Sequence, residues 1–215
     1  MAPNSRIIIA RHAECEKNVH HDYTVLDPPL TELGKKQSEA LTGVTQLQDE
    51  VDVVVTSPLK RTLQSCRLSW APAIERLGGL KKVICLPQAQ ECDDWQCDIG
   101  TDREELEADP EYAGFNFSSL EPEWTSKRGF WGSDAAATTN RAQWVRQWLR
   151  ERPEHTIVLV AHGDIILKIT AGAEGPSGPV WGNAEARVFE FDPATVESDE
   201  CFLRQRGVVF AADVR

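Results

Sequence analysis

Ile157-Val158-Leu159-Val160-Ala161-His162-Gly163 and, far upstream, Ile7-Ile8-Ile9-Ala10-Arg11-His12 share one layout: an aliphatic, largely β-branched run that ends in a histidine where a loop or helix begins. Runs this apolar suit strands covered on both faces. Residues 51–55 read as another such strand, and Ser57-Pro58 is a start signal for a helix through Leu63 and Leu68. Thr31 caps a helix whose apolar positions Leu33, Ala40, Leu41, Val44 and Leu47 recur at helical spacing. Residues 83–86 form a further candidate strand. The helix carrying Ala142, Val145, Trp148 and Leu149 leads into the 157–160 strand, a helix begins near Gly163, and 187–191 and 202–210 read as two late strands. Strands alternating with helices predict an α/β domain on a largely parallel sheet.

No repeat or linker divides the 215 residues, so one domain over 1–215 is expected. Over 93–138 the pattern weakens into acidic, Trp- and Gly-containing sequence, longer than ordinary connections and so a candidate lid or substrate-specificity insertion. Hydrophobic residues are 41% and charged residues 27%, as in ordinary globular chains. The apolar run before Arg11 is too short for a signal peptide or membrane span, which makes a cytoplasmic location the default expectation. Six cysteines without CxxC pairs or zinc spacing read as free thiols of a reducing compartment. A net charge of -11 argues against nucleic acid as a partner. It also requires that any phosphate site be a local basic pocket, which screening over about 8 Å allows to act almost alone.

In open parallel sheets ligands sit at the carboxyl ends of the strands, so His12 and His162 are expected to project into one crevice. One such histidine is more often structural; two at equivalent strand ends point to a site. Arg11 adjoins His12, and Arg61 falls in the first turn of the helix after Ser57. A cation there opposes the helix dipole unless an anion lies beside it. Guanidinium groups grip phosphate oxygens in bidentate fashion and keep their charge.

Arg11-His12-Ala13-Glu14, Asn18, Asp27-Pro28-Pro29-Leu30-Thr31-Glu32-Leu33-Gly34, Ser57-Pro58-Leu59-Lys60-Arg61-Thr62-Leu63-Gln64, Glu91 and Val160-Ala161-His162-Gly163 occur in that order over nearly the whole chain. Together they resemble the histidine phosphatase superfamily, also called phosphoglycerate mutase-like. Trp181-Gly182-Asn183-Ala184-Glu185-Ala186-Arg187 resembles the late strand region of the fungal phosphoglycerate mutase-like proteins. The resemblance implies a three-layer α/β/α sandwich with a mostly parallel central sheet. One position departs: the family usually carries glycine where this chain has Ala13, which is tolerable only if the backbone there avoids positive φ.

The resemblance further implies that His12 is a nucleophile passing through a phosphohistidine, with Arg11, Arg61, His162, Asn18 and Gly163 around the phosphate. Glu91 is then the proton donor, its pKa raised by burial or by Asp93 and Asp94, which are also rival donors. No metal or other cofactor is required. The expected partner is a small phosphorylated substrate, with neither nucleic acid nor membrane, and a homodimer is left open. A metal-independent phosphatase is the first reading. A phosphomutase is the second, and a noncatalytic or repurposed binder of a phosphorylated or carboxylated metabolite the third.

Other features earn plainer readings. Cys15 is expected to be inert packing, His20, His21 and His155 solvated in loops, and 172–178 a turn lacking the ending of a nucleotide-binding loop. The aromatics Trp95, Trp124, Phe130 and Trp131 line a pocket or fill a core. Lys127 and Arg128 either meet a second acidic group on the substrate or are surface charges.

Overall fold

The β-branched runs form the centre of one six-stranded sheet. In the computed structural model, which describes residues 4–20, 22–43, 45–175 and 179–210, the strands are β1 (Arg6–Arg11), β2 (Val53–Thr56), β3 (Ile84–Cys85), β4 (Thr156–Ala161), β5 (Ala186–Phe191) and β6 (Leu203–Phe210). Their order is β3-β2-β4-β1-β5-β6. β1, β2 and β3 run parallel to their neighbours across β4 and β2, while β5 and β6 close one side antiparallel. Ile7 lies opposite Ile157 and Arg11 opposite Ala161, so β1 and β4 end level with each other.

The helices are α1 (Glu16–His20), α2 (Glu32–Thr42), α3 (Thr45–Glu50), α4 (Lys60–Ser69), α5 (Ala71–Arg76), α6 (Arg103–Ala108), α7 (Ala135–Arg150) and α8 (Gly163–Ile169). Alternation along each strand divides the core into two. Ile8, Ala10, Val54, Val158 and Val160 pack with residues of α2, α4 and α5. Ile7, Ile9, Val55, Ile157 and Leu159 pack with Ala142, Val145 and Leu149 of α7 and Ile165, Ile166 and Ile169 of α8. The result is the expected three-layer arrangement, and each wholly buried Ile or Leu stabilises it by about 1.5–3 kcal/mol. Among the described residues, no helix is long and apolar enough to cross a membrane.

Three local expectations change. The helix after Thr31 does not run on to Leu47: Gly43 caps α2 by donating to the carbonyls of Ala40 and Leu41, and Leu47 belongs to the separate α3. Val44 lies outside the described residues. The buried face of α2 is also not the Leu33 and Ala40 face but Gly34, Gln37, Ser38 and Leu41, because part of its neighbour is polar backbone: Gln37 Oε1 accepts from the Glu14 amide at 2.9 Å. The 83–86 strand shrinks to Ile84–Cys85, the two residues registered against Val55 and Thr56.

Segment 93–138 contains α6 and several short 3-10 turns, and it sends Tyr112, Phe115, Phe117, Leu120, Trp124 and Trp131 into the core under α4 and α5. Trp95, by contrast, stays exposed.

Candidate active site

Residues at the carboxyl ends of the parallel strands meet. β1 delivers Arg11 and His12, β2 Ser57 and the start of α4, β4 His162 and the start of α8, and the chain after β3 reaches Glu91. The imidazoles of His12 and His162 are both wholly buried, with ring centroids 5.2 Å apart.

His12 Nδ1 lies 2.7 Å from the carbonyl oxygen of Ala13. A carbonyl only accepts, so Nδ1 carries the proton and Nε2 keeps its lone pair. Burial, with Arg61 and Arg11 close by, holds this imidazole well below its ordinary pKa, which makes it neutral. Ala13 tolerates its position as required, since positive φ among the described non-glycine residues occurs only at Asp27, Lys127, Ala184 and Cys201. His162 Nε2 sits 2.8 Å from Ser57 Oγ, and burial, Arg61 and His12 depress its pKa as well.

The loop carrying His12 is fixed on two sides. Glu14 takes hydrogen bonds from the Thr31 amide (3.1 Å) and hydroxyl (2.7 Å) at the start of α2. Gly34 lets it approach, because a Cβ there would stand 1.9 Å from the Glu14 oxygen. On the other side, Ala184 N and Asn183 Nδ2 donate to the His12 carbonyl at 3.1 and 3.4 Å. Arg11 donates to the Trp181 carbonyl at 2.5 Å, and its Nε would stand 3.4 Å from a Cβ on Gly163. The Trp181–Arg187 stretch is therefore a strap over the His12 loop, held by Arg187 bonded to Glu185 and stacked 4.1 Å over Trp181.

Arg61 does have an anion beside it, and that anion is a protein group. Its guanidinium donates to Asp98 Oδ1 and to the Cys97 carbonyl, both at 2.6 Å, and Lys17 reaches the same Asp98 oxygen at 2.6 Å. Burial alone would raise the Asp98 carboxyl, but Arg61 and Lys17 bring it below its usual range. Asp27 ties this region together: its carboxylate accepts from the Lys60 amide at the head of α4 and from Thr101.

Glu91 is buried, and one carboxylate oxygen accepts from the amides of Cys92 (3.0 Å) and Ile165 (3.1 Å). Burial first, then Asp164 and Asp98, push its pKa up. Those two carboxylates, rather than the expected Asp93 and Asp94, are its chief acidic neighbours. Arg141 and Lys127 hold its backbone carbonyl at 3.0 and 3.1 Å. Lys127 is thus drawn inward, its pKa lowered to about 8 by burial and by Arg141, while Arg128 remains exposed.

Asn18 presents its oxygen to Cys15 N and Asn183 Nδ2, which leaves its NH2 group uncommitted among the described residues. Asn18, Arg11, Lys17, Glu91, Asp98 and Gly163 line a cleft of about 290 Å³ together with Tyr23, Asp93, Trp95 and Asp164. His12, Arg61 and His162 are wholly buried and are not among the residues that line it.

Of the plainer expectations, Cys15 is a buried thiol whose pKa burial raises, His155 is exposed, and His20 ends α1 rather than lying in a loop. His21 and part of 172–178 lie outside the described residues. Lys17, Asp98, Arg141 and Asp164 escaped the motif reading. The cation at the head of α4 signalled only that an anion should lie beside it, read from sequence as a phosphate, and that anion in the structure is Asp98.

The family model for the histidine phosphatase superfamily (branch 1) matches residues 7–199. The chain belongs to that superfamily. The chain is 32% identical over 160 residues to phosphoserine phosphatase 1 of Hydrogenobacter thermophilus, covering 73% of this chain and 70% of that protein. It is 26% identical over 171 residues to a probable phosphatase of Schizosaccharomyces pombe, covering 73% of each. Its fold is shared with a phosphoserine phosphatase from Entamoeba histolytica in complex with phosphoserine (TM-score 0.61, 21% identity, covering 95% of this chain and 96% of that one). A mycobacterial glucosyl-3-phosphoglycerate phosphatase complexed with VO3 is similar too (TM-score 0.59, 20% identity, 96% and 100% covered).

Proposed function

We propose that this chain is a metal-independent phosphatase that hydrolyses a small phosphate monoester through a phosphohistidine on His12. The observation that carries this reading is a set of four buried nitrogens without a protein partner among the described residues: Arg11 Nε, His12 Nε2, Arg61 Nε and His162 Nδ1. Buried polar atoms are normally paired, so such a set at converging strand ends calls for a ligand. With the Ser57 hydroxyl donating to His162 Nε2, three of these nitrogens are N–H donors and the fourth is a lone pair. That combination suits a tetrahedral oxyanion whose oxygens are held while its phosphorus is attacked.

In the first half-reaction His12 Nε2 attacks phosphorus, the ester P–O bond breaks, and the Glu91 proton passes to the departing alkoxide. The raised pKa of Glu91 keeps that proton available near neutral pH. Water then attacks the phosphohistidine, the Glu91 carboxylate takes its proton, and the P–N bond breaks to free inorganic phosphate and neutral His12. Arg11, Arg61, His162 and Asn18 stabilise the negative charge gathered on the oxygens, so positioning and electrostatics supply most of the catalysis. The 93–98 part of the 93–138 segment forms the substrate wall.

The test is a screen of phosphorylated metabolites for phosphate release, with His12→Ala beside the parent. Release by the parent and none by the variant is expected. Release that survives in His12→Ala would remove the proposed nucleophile. No turnover of any ester, with phosphate esters still raising the melting temperature, would favour a binding module.

A further inference from the structure

The cleft that holds Glu91 divides by charge, and the division bears on the alcohol that leaves. Glu91, as proton donor, marks the leaving-group side of the phosphorus. Its carboxylate is held by the amide of Ile165, the residue that follows Asp164, so Asp164 stands beside the departing oxygen. Asp93 lines the same cleft. Asp98 is neutralised by Arg61 and Lys17, but Asp93 and Asp164 have no ion pair among the described residues. Lys17 is engaged with Asp98, and Lys168 lines only the neighbouring cleft that these two aspartates border.

The rim of the cleft adds two aromatic faces. Tyr23 and Trp95 are 42% and 57% exposed, with ring centroids 5.7 Å apart and planes tilted by 40°. Exposed aromatic rings flanked by carboxylates form a surface suited to ammonium groups, above all to alkylated ones. Arg11 in the lining of the same cleft is followed by His12, whose Nε2 is wholly buried and unpartnered among the described residues.

Resting on the phosphatase reading, we infer that the substrate is the phosphate monoester of a short alcohol bearing an ammonium or quaternary ammonium group and no carboxylate. Its cation lies between Asp93, Asp164 and the Trp95 and Tyr23 rings, while its phosphate lies on the arginines. A carboxylated ester of equal size meets two like charges instead, so it is discriminated against although its phosphate fits equally well.

The experiment compares kcat/KM, by phosphate release, for 2-aminoethyl phosphate, its trimethylammonium counterpart, ethyl phosphate and 3-phosphoglycerate. Each carboxylate is expected to favour a cationic over a neutral ester by about fivefold, the effect of an exposed ion pair at its upper range. The Asp93→Asn, Asp164→Asn double variant should lower the cationic-to-neutral ratio about 25-fold, to what the two rings alone supply, and raise the relative rate of 3-phosphoglycerate. Trp95→Ala should lower the trimethylammonium ester selectively, again by up to about fivefold. In the parent protein the preference should shrink as salt is raised, a reading that needs no variant. A parent that treats the esters alike, or a preference that the double variant leaves undiminished, overturns the inference. If 4-nitrophenyl phosphate is hydrolysed in that case, the phosphatase reading stands without it; if no ester releases phosphate, both fall.

Discussion

Replacing Gly34 by alanine sets two effects of opposite sign against each other. Gly34 lies inside α2, where alanine is favoured over glycine by about 1 kcal/mol in helix propensity. Against that, the added Cβ would stand 1.9 Å from the Glu14 carbonyl oxygen, and the loop must retreat by about 1 Å to restore a contact of 3.0 Å. The retreat breaks the Thr31 amide and hydroxyl bonds to Glu14 and the Glu14 amide bond to Gln37. At about 1 kcal/mol each, their loss outweighs the propensity gain by about 2 kcal/mol. For a chain of this size that lowers the melting temperature by about 4–8 °C. Glu14 is two residues from His12, so the same displacement moves His12, and for the proposed nucleophile a misplacement of about 1 Å costs on the order of 100-fold in rate. Thermal unfolding by circular dichroism and steady-state phosphate release measure the two effects. A Gly34→Ala protein with an unchanged or raised melting temperature and parental activity would refute the reasoning.

Glu91→Gln should lower kcat for alkyl phosphates by on the order of 10²–10⁴ but affect 4-nitrophenyl phosphate far less, because that leaving group needs no proton; equal losses on both would exclude proton donation. The raised Glu91 pKa means that the unfolded chain ionises first as pH rises past about 4.3, so the carboxyl costs stability at neutral pH. Glu91→Gln is thus expected to be the more stable protein at pH 7, with the advantage vanishing near pH 4 in urea titrations. His12 and His162 are depressed, so below about 6.5 the unfolded chain takes up protons that the fold refuses. Stability should fall by up to about 1.4 kcal/mol per pH unit for each of them, and a flat profile between pH 7 and 5 would contradict their neutral burial. Asp98→Ala leaves Arg61 buried without its counter-charge and should cost about 3–5 kcal/mol in chemical denaturation; a loss under about 1 kcal/mol would show that the pair is not what holds Arg61.

Sequence pattern reached the fold wherever burial on two faces leaves one solution. Ile7 to Ile9 and the 157–160 run had no alternative to central strands, and the histidines that end them were marked by position alone. It fell short where the partner was not apolar. Gln37 and Ser38 are buried in α2 because they face the loop of Glu14, so the hydrophobic spacing followed the wrong face. Residues 83 and 86 read as strand, yet only Ile84 and Cys85 stand in register with β2, although the Leu86 amide still donates to the Thr56 carbonyl. Asp98 lies 37 residues beyond Arg61 in sequence with no motif around it, and only tertiary contact makes the pair. The tryptophans make the same point: Trp124 and Trp131 fill the core while Trp95 faces solvent, and their spacing does not distinguish them.

The most direct measurement is to quench the parent protein during turnover of a phosphate-labelled ester and map the label by mass spectrometry under alkaline conditions that preserve phosphohistidine. Phosphate should be found on Nε2 of His12, formed and lost at rates compatible with turnover, and absent from His12→Ala. Label on another residue, or steady turnover with His12 never phosphorylated, would contradict nucleophilic attack by that nitrogen.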